Sequence, residues 1–323
     1  MSLDELARWL RTAGLDPPAR PWPDSPHRFP DGRRYRFEIP SVEGPVVLRA
    51  VLEEARARDL RIHRVSQGSG IMLLTDDELD ELAELGREHD VEVCLFLGPR
   101  GSWDSGGQAL ATESAAGVAR GAEAVEACVA ETRRACAHGI RSVLVGDIGV
   151  LDVLVALRQD GLLPADLIFK TSAILCAANP ATAALLDRLG ADTINVATDL
   201  EIGMLAAIRA VTHKPLDVYV EVPDDMGGFV RSYQVPDIVK VAAPVHVKVG
   251  LRNATMVYPS GLHLEGVAAL QCREKVRRAS MLERLIGELT PEVSAGFDAS
   301  AAPGGNAAPG GNAAPDSAGR HAG

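Results

Sequence analysis

The feature that most constrains the fold is an alternation of short apolar segments with amphipathic segments, which starts near residue 34 and ends near residue 289. Each apolar segment is rich in Val, Ile and Leu and precedes a stretch with helical periodicity. The eight predicted strands are residues 34–41, 61–68, 91–98, 141–149, 167–174, 192–199, 216–224 and 244–252. Strands that alternate with helices predict a parallel sheet.

Eight strand-then-helix units within about 250 residues match a closed (β/α)8 barrel, also called a TIM barrel. The competing architecture is an open, doubly wound sheet, which usually carries a G-x-G-x-x-G phosphate fingerprint. That fingerprint is absent here, and nothing in the repeat marks a midpoint. Three helix starts support the assignment, because Thr75 with Glu78 and Thr198 with Glu201 fit capping boxes, and Asn179 with Pro180 fits an N-cap followed by a first-turn proline.

The segments outside the repeat differ in composition. Residues 1–33 predict a short N-terminal helix and a proline-rich extended arm, and residues 34–289 form the barrel. Residues 290–323 repeat a six-residue unit of Ala, Pro, Gly and Asn. Such a tail cannot bury enough apolar surface to offset its chain entropy, so we predict that it is disordered.

The composition limits the kinds of partner that we expect for this chain. A net charge of −11 argues against nucleic acid as the main partner, because phosphate binding needs a concentrated basic surface. The start of the sequence does not resemble a secretion signal, and no run of about 18 apolar residues predicts a membrane span. The five cysteines are scattered, which is typical of a reduced cytoplasm. We expect a small-molecule substrate and no membrane partner, and a homodimer is left open.

Two lysines stand out because they interrupt apolar strands. Only five of the 33 basic residues are lysine, and two of these, Lys170 and Lys248, lie within predicted strands. A buried charge is costly unless it is paired, and the candidate partners of these two lysines are Glu38, Asp147 and Glu221. A lysine beside another cation can lose its proton and act as a nucleophile that forms an imine, whereas arginine cannot readily do so. The alternatives are a general base, a cation that anchors a substrate carboxylate, or a structural ion pair.

Active sites of this fold lie at the C-terminal ends of the strands. Polar residues gather at those ends, and residues two apart on a strand share a face, as predicted for Tyr219 with Glu221. The predicted catalytic residues are Lys170, Lys248, Glu38 and Glu221, with the two glutamates moving protons. The predicted substrate-binding residues are Arg36, Gln67, Asn195, Tyr219, His246, Arg252 and Asn253. Arg252 is expected to hold a carboxylate or a phosphate.

A metal site is the alternative use of some of these residues. Carboxylates and an imidazole from different strands can bind Mg²⁺, Mn²⁺ or Zn²⁺, and the candidates are Glu38, Asp147, Glu221 and His246. No local spacing motif such as H-E-x-x-H supports this alternative, and a nearby lysine would repel the metal. The sequence therefore leaves a divalent metal open.

One phrase resembles a known family. "RLGADTINVATDLEIGMLAAIRA" followed by "PLDVYVEV" resembles the barrel domain of peptidase U32, the collagenase-like peptidases, and the resemblance extends over residues 35–285. It implies a barrel and, in the family, peptidase activity or iron–sulfur-dependent hydroxylation. The family's phrase Glu-x-Phe-x-His-Gly corresponds here to Asp217, Tyr219 and Glu221, so glutamate replaces the histidine. The cysteines that follow in the family are absent from "PDDMGGFVRSYQ", so we expect no iron–sulfur cluster.

These observations favour a cytoplasmic barrel enzyme that acts on a small anionic, carbonyl-bearing substrate by lyase, aldolase or isomerase chemistry. Peptide or amide hydrolysis, as the resemblance implies, is the second hypothesis. The third is a non-catalytic binding or accessory protein that uses its tail as the contact.

Overall fold

The computed structural model describes residues 3–13, 21–98 and 118–290, and within these ranges the chain forms a (β/α)8 barrel. The strands are β1 (Tyr35–Pro40), β2 (Arg64–Ser66), β3 (Glu92–Phe96), β4 (Ser142–Val145), β5 (Ile168–Thr171), β6 (Ile194–Asn195), β7 (Leu216–Glu221) and β8 (Val245–Val249). They form one parallel sheet in the order β5-β4-β3-β2-β1-β8-β7-β6. The two edge strands meet through an isolated parallel bridge between Lys170 and Thr193, so the barrel is nearly closed. The predicted fold is confirmed.

Helices surround the strands. They are α1 (Leu3–Thr12), α2 (Pro45–Ala57), α3 (Asp76–Glu88), α4 (Gly121–Ala137), α5 (Ile148–Gln159), α6 (Pro180–Arg188), α7 (Ile202–Arg209), α8 (Val235–Ala242) and α9 (Glu265–Leu289). Two of the three predicted helix starts are confirmed, since Thr75 and Glu78 form a capping box and the Asn179 side chain accepts from the Thr182 N–H. The third is wrong, because α7 begins at Ile202 without a side-chain cap and the Thr198 hydroxyl donates to the Met226 carbonyl at 3.1 Å. No helix within the described ranges combines the length and the apolar character that a membrane crossing requires.

The two faces of the strands differ in chemistry. On one face, residues such as Phe37, Val143, Val218 and Val247 belong to a continuous apolar core between the strands and the helices. Because side chains alternate along a strand, the intervening residues face the barrel axis. Many of these inward residues are charged or hydroxylated and buried, among them Glu38. The apolar core therefore stabilises the barrel from outside and leaves its interior for polar chemistry.

The N-terminal arm packs against the end of the barrel where the strands begin. The backbone N–H of Ser25 donates to the Lys240 carbonyl at 2.7 Å. The Phe29 ring, 5% exposed, packs edge-on against His246 with 5.0 Å between ring centroids. The guanidinium of Arg36 lies 4.3 Å from the Phe29 ring centroid. The arm thus covers this end of the barrel. The predicted tail beyond residue 290 lies outside the described residues.

Gly250 marks a close approach at the opposite end, just after β8. A Cβ built at this position would lie 2.6 Å from the backbone oxygen of Glu221 and 2.7 Å from the Pro223 ring. We expect Gly250→Ala to lower the free energy of unfolding by about 1–3 kcal/mol, because the backbone must shift to admit the methyl group. Urea denaturation measures this. Gly266→Ala is the control, since nothing lies within 4 Å of its Cβ position, and an equal loss in both variants would contradict the prediction.

Candidate active site

Six buried side chains, here called the interior cluster, meet inside the barrel. They are Glu38 from β1, Arg64 from β2, Lys170 from β5, Asp217 from β7, and His246 and Lys248 from β8. None is more than 3% exposed. The cluster combines both interrupting lysines with the buried carboxylates that neutralise them.

Glu38 is the shared partner of the two lysines. Lys170 extends from β5, four strands away from β1 in the sheet order, and its ammonium hydrogen-bonds Oε1 of Glu38. Lys248 Nζ lies 3.3 Å from the same oxygen. The Ser66 hydroxyl donates to that oxygen at 2.7 Å. One carboxylate oxygen therefore faces two ammonium groups and a hydroxyl near the barrel axis.

Asp217 and Arg64 form the other half of the cluster. Arg64 Nη1 lies 3.0 Å from Asp217 Oδ1, and its Nε lies 2.9 Å from Glu92 Oε1. The Thr193 hydroxyl also donates to Asp217 Oδ1 at 3.0 Å. Lys170 Nζ is 3.4 Å from Asp217 Oδ2, which links the two halves. Lys170 is thus held between two carboxylates.

The cations keep both carboxylates ionised. Burial alone would raise the pKa of Glu38, but the neighbouring Lys170 and Lys248 ammonium groups hold it below its usual range. Burial likewise opposes ionisation of Asp217, and Lys170 and Arg64 lower its pKa well below the ordinary value. A carboxylate with a depressed pKa is a poor proton carrier at neutral pH. Glu38 is therefore suited to stabilising positive charge and not to the proton transfer expected from the sequence.

His246 lies at the N-terminal side of the cluster. Its Nδ1 is 2.9 Å from Asp217 Oδ1 and 3.2 Å from Arg64 Nη1. Burial, followed by the Arg64 charge, lowers the pKa of His246, so the ring is neutral at pH 7. Its other face packs on Phe29 of the arm. His246 therefore contacts the interior cluster from the N-terminal side of the strands. It lies against the arm, away from the C-terminal ends of the strands.

Of the two lysines, Lys248 has fewer carboxylate groups beside its ammonium group. Its ammonium lies 4.3 Å from the centroid of the Tyr219 ring, a cation–π contact. With its amide oriented to satisfy both neighbours, Asn195 accepts from Lys248 Nζ at 2.9 Å and donates to the Asp217 carbonyl at 3.2 Å. A neutral amide and an aromatic face replace the second carboxylate that Lys170 has. Asn195 and Tyr219 thus join the cluster, as their strand positions predicted.

Glu221 lies elsewhere. A register shift between Tyr219 and Glu221 interrupts the alternation, so the shared face predicted for them does not form. The Glu221 carboxylate accepts from Arg278 Nη1 of α9 at 3.0 Å and from the Arg252 N–H at 2.9 Å. The bulge thus turns Glu221 away from the lysines and towards α9.

The other predicted binding residues are engaged in local contacts. Arg252 Nε donates to Asp224 Oδ1 at 3.0 Å, and the Asn253 N–H also donates to Asp224. Gln67 makes two 3.0 Å hydrogen bonds to the backbone of Gly70 and braces its own loop. Arg36 pairs with Asp31 of the arm at 3.0 Å. The structure does not bring these residues to the lysines.

The residues of the metal alternative occupy three separate places. Glu38 and His246 belong to the interior cluster, and Glu221 pairs with Arg278. Asp147 caps α5 by accepting from the Val150 N–H at 2.9 Å. Among the residues with described positions, no group of three His, Cys, Asp or Glu side chains is arranged to hold a metal ion. These four residues therefore do not form one site.

Sequence reasoning missed Arg64 and Asp217 as members of the site. Asp217 entered the sequence analysis only as the counterpart of a family glutamate, and Arg64 was not among the predicted site residues. Both interrupt apolar strands in the same way as Lys170 and Lys248. A search for charged residues at inward positions, balanced by sign, would have found them.

The comparisons with known proteins concern architecture. No protein-family model matches the sequence, and neither does any curated protein. Among solved structures, a U32 peptidase is 17% identical, with a TM-score of 0.40, covering 61% of this chain and 73% of its own. Thiamine phosphate pyrophosphorylase from Pyrococcus furiosus is 13% identical, with a TM-score of 0.45, covering 80% of this chain and 98% of its own. The carboxyl transferase domain of pyruvate carboxylase from Rhizobium etli is 14% identical, with a TM-score of 0.42. The match covers 80% of this chain and 48% of the other. Likenesses of this size say nothing about chemistry.

Stability should fall as the pH drops below about 6.5. Burial and the nearby arginines lower the pKa of His63 from 6.5 to about 2, and burial also lowers that of His246. Below pH 6.5 the unfolded chain therefore binds protons that the folded chain does not. His63 alone lowers the free energy of unfolding by up to about 1.4 kcal/mol for each pH unit. Below pH 4 the depressed pKa values of Glu38 and Asp217 act in the same direction. Burial raises the pKa of Glu43, so protonation of this group favours the folded chain as the pH falls.

Urea unfolding at pH 7.5, 5.5 and 4.5 measures this dependence. His63→Gln should reduce the loss between pH 7.5 and 5.5, because the variant removes one of the histidines whose pKa is lowered in the folded chain. Equal free energies of unfolding at pH 7.5 and 5.5 would contradict the prediction.

Proposed function

We propose that this protein is a barrel enzyme that acts on a small anionic, carbonyl-bearing substrate, with Lys248 as the reacting amine. The chemistry is of the lyase, aldolase or isomerase type. The observation that carries the proposal is the contact of two ammonium groups with the same oxygen of Glu38.

The charge balance supports an anionic substrate. The fully buried part of the cluster holds three cations, Arg64, Lys170 and Lys248, and two carboxylates, Glu38 and Asp217. The third carboxylate, Glu92, is 21% exposed and pairs with Arg64 at 2.9 Å. With Glu92 counted, the cations and carboxylates balance three to three, but Lys248 shares its one carboxylate oxygen with Lys170. An anionic group bound beside Lys248 would therefore be attracted by an incompletely neutralised ammonium group in a low-dielectric surrounding.

Lys248 and Lys170 have different roles in this proposal. Lys170 lies between Glu38 and Asp217 and is a positioning cation. Lys248 shares only one carboxylate oxygen and otherwise contacts Asn195 and the Tyr219 ring. If Lys248 loses its proton, Glu38 and Lys170 remain paired one to one. A lysine beside a second cation is the arrangement that activates an amine for imine formation.

The step balances without any further reactant. Counted from its ammonium form, Lys248 forms a C–N bond to the substrate carbonyl carbon. Two of its three protons leave with the carbonyl oxygen as water, and the third stays on the imine nitrogen. The protonated imine then accepts the electron pair of a neighbouring C–C bond, whose other fragment leaves as a carbonyl compound, or of a neighbouring C–H bond, whose proton passes to water. The ionised Glu38, whose pKa is depressed, stabilises the positive charge on the imine nitrogen.

Turnover of a substrate panel tests the proposal. The panel contains 2-oxo acids and phosphorylated aldehydes and ketones, and proton exchange and cleavage are followed by NMR. We expect at least one compound to react with the wild-type protein and none with Lys248→Met. Lys214→Met is the control, since Lys214 is 36% exposed and its nearest carboxylate is 3.9 Å away. Equal turnover by the wild-type protein and Lys248→Met would contradict the proposal.

A further inference from the structure

A pocket with a largely apolar lining lies at the C-terminal ends of β1, β7 and β8, where α9 packs against the loops. Its volume is about 90 Å³. The lining includes Ser41, Pro223, Leu251, Tyr258, Gln271 and Lys275. None of these residues belongs to the interior cluster, so the pocket is a separate site.

Lys275 is the unusual member of this pocket. It projects from α9, is 3% exposed, and its ammonium donates to the Pro40 carbonyl at 2.7 Å. An ammonium group carries three N–H donors. In the part of the chain that the structure describes, Lys275 makes no other hydrogen bond and has no carboxylate within 4 Å. A buried ammonium group without a carboxylate partner lowers the stability of the folded chain unless a bound anion neutralises it.

The carboxylates nearest the pocket are committed to other partners. Glu43 accepts from the backbone N–H groups of Gly68 and Ser69 at 2.8 and 3.0 Å. Burial raises the pKa of Glu43, and the Lys275 charge acts against that shift without an ion-pair contact. Asp224, also on the lining, pairs with Arg252 at 2.8 Å. Among the described residues, no carboxylate therefore lies within ion-pair distance of the buried ammonium group.

Two hydroxyl groups lie along the same cavity. The Ser41 and Tyr258 hydroxyls are 2.6 Å apart. Ser41 has a φ of 66°, a left-handed conformation that is strained for a residue other than glycine. The Tyr258 ring fills the space where a Cβ of Gly68 would lie, so the ring position is fixed by close packing. Local strain and tight packing thus hold both hydroxyls at the pocket.

We infer that this pocket binds a small oxyanion, a phosphate or a carboxylate group, with Lys275 as its counter-ion and the Ser41 and Tyr258 hydroxyls beside it. The volume is about three times the roughly 30 Å³ that one water molecule occupies in the liquid. That space admits one oxyanion and is far smaller than the roughly 300–1,000 Å³ of a site for a whole drug-sized ligand. The site is thus suited to a free anion or to the anionic end of a larger molecule.

Calorimetric titration of the full chain with inorganic phosphate, and separately with acetate, tests the inference and distinguishes the two anion classes. We expect saturable binding of one of them to the wild-type protein and at least a tenfold weaker affinity in Lys275→Met. Lys214→Met should bind as the wild type does, because it removes the same charge from a distant surface site. Lys248→Met should keep the binding event that Lys275→Met loses, because Lys248 does not line this pocket.

Tyr258→Phe provides the second variant if Lys275→Met fails to fold. It keeps the ring packed on Gly68 and removes the hydroxyl, so the affinity should fall several-fold. The inference is overturned if neither anion binds, if Lys275→Met or a folded Tyr258→Phe binds as the wild type does, or if binding is lost in Lys248→Met and kept in Lys275→Met. Because the measurement needs no turnover, its result is independent of the imine chemistry proposed above.

Discussion

Glu38→Gln should lower the free energy of unfolding by about 3–5 kcal/mol, because it leaves two buried ammonium groups without their shared carboxylate. Glutamine has nearly the same shape, so the loss reports the charge and not a cavity. Urea denaturation at pH 7.5 measures the change.

Glu92→Gln is the matched control for that prediction. Glu92 also pairs with a cluster cation, Arg64, but it is 21% exposed and Arg64 retains Asp217 at 3.0 Å. We expect a loss of about 1 kcal/mol or less, as for partly exposed pairs. Equal losses in the two variants, or a Glu38→Gln protein as stable as the wild type, would show that the interior cluster does not act as argued.

Lys248→Arg should abolish turnover of any substrate found by the panel, with kcat/KM falling at least about 10³-fold. Arginine keeps the positive charge beside Glu38 and the Tyr219 ring, but it cannot readily lose its proton or form an imine. The variant therefore separates the two roles that a buried lysine can have. Arginine can replace lysine in an ion pair, but it cannot replace lysine as a nucleophile.

The stability of the same variant is the accompanying measurement. We expect the free energy of unfolding of Lys248→Arg to stay closer to the wild-type value than that of Lys248→Met, which leaves Glu38 with one cation fewer. Turnover by Lys248→Arg within tenfold of the wild type would assign Lys248 to charge stabilisation alone.

The barrel could be predicted from the sequence because its determinants are local. Strand and helix periods alternate eight times, and caps such as Thr75 with Glu78 mark helix starts within four residues. The interior position of Lys170 and Lys248 followed from the alternation of side chains along a strand. These features depend on neighbours in the chain, which the sequence displays directly.

Glu38, Asp147 and Glu221 were all candidate partners of the two lysines, and only Glu38 pairs with them. The alternation of side chains along a strand could not choose among the three. Lys170 meets Glu38 across the barrel, 132 residues earlier in the chain, and this contact exists only once the sheet has closed. Glu221 was grouped with Tyr219 because two-residue spacing ordinarily defines one face, and the register shift in β7 changes that. Lys275 was overlooked because its segment reads as the charged face of a solvated helix. Burial of its ammonium depends on how α9 meets β1.

The other functional hypotheses keep their status as predictions. Peptide hydrolysis rests on the sequence resemblance, and no contact in the described residues singles it out. An accessory role through the tail concerns residues that lie outside the described ranges.

The most direct test of the central claim is to trap the imine. The wild-type protein is incubated with a reactive compound from the panel and reduced with borohydride, and the modified peptide is identified by mass spectrometry. The proposal predicts one adduct per chain, on Lys248, with none in Lys248→Arg. A substrate that turns over without leaving any adduct, or an adduct confined to exposed lysines such as Lys214, would contradict it.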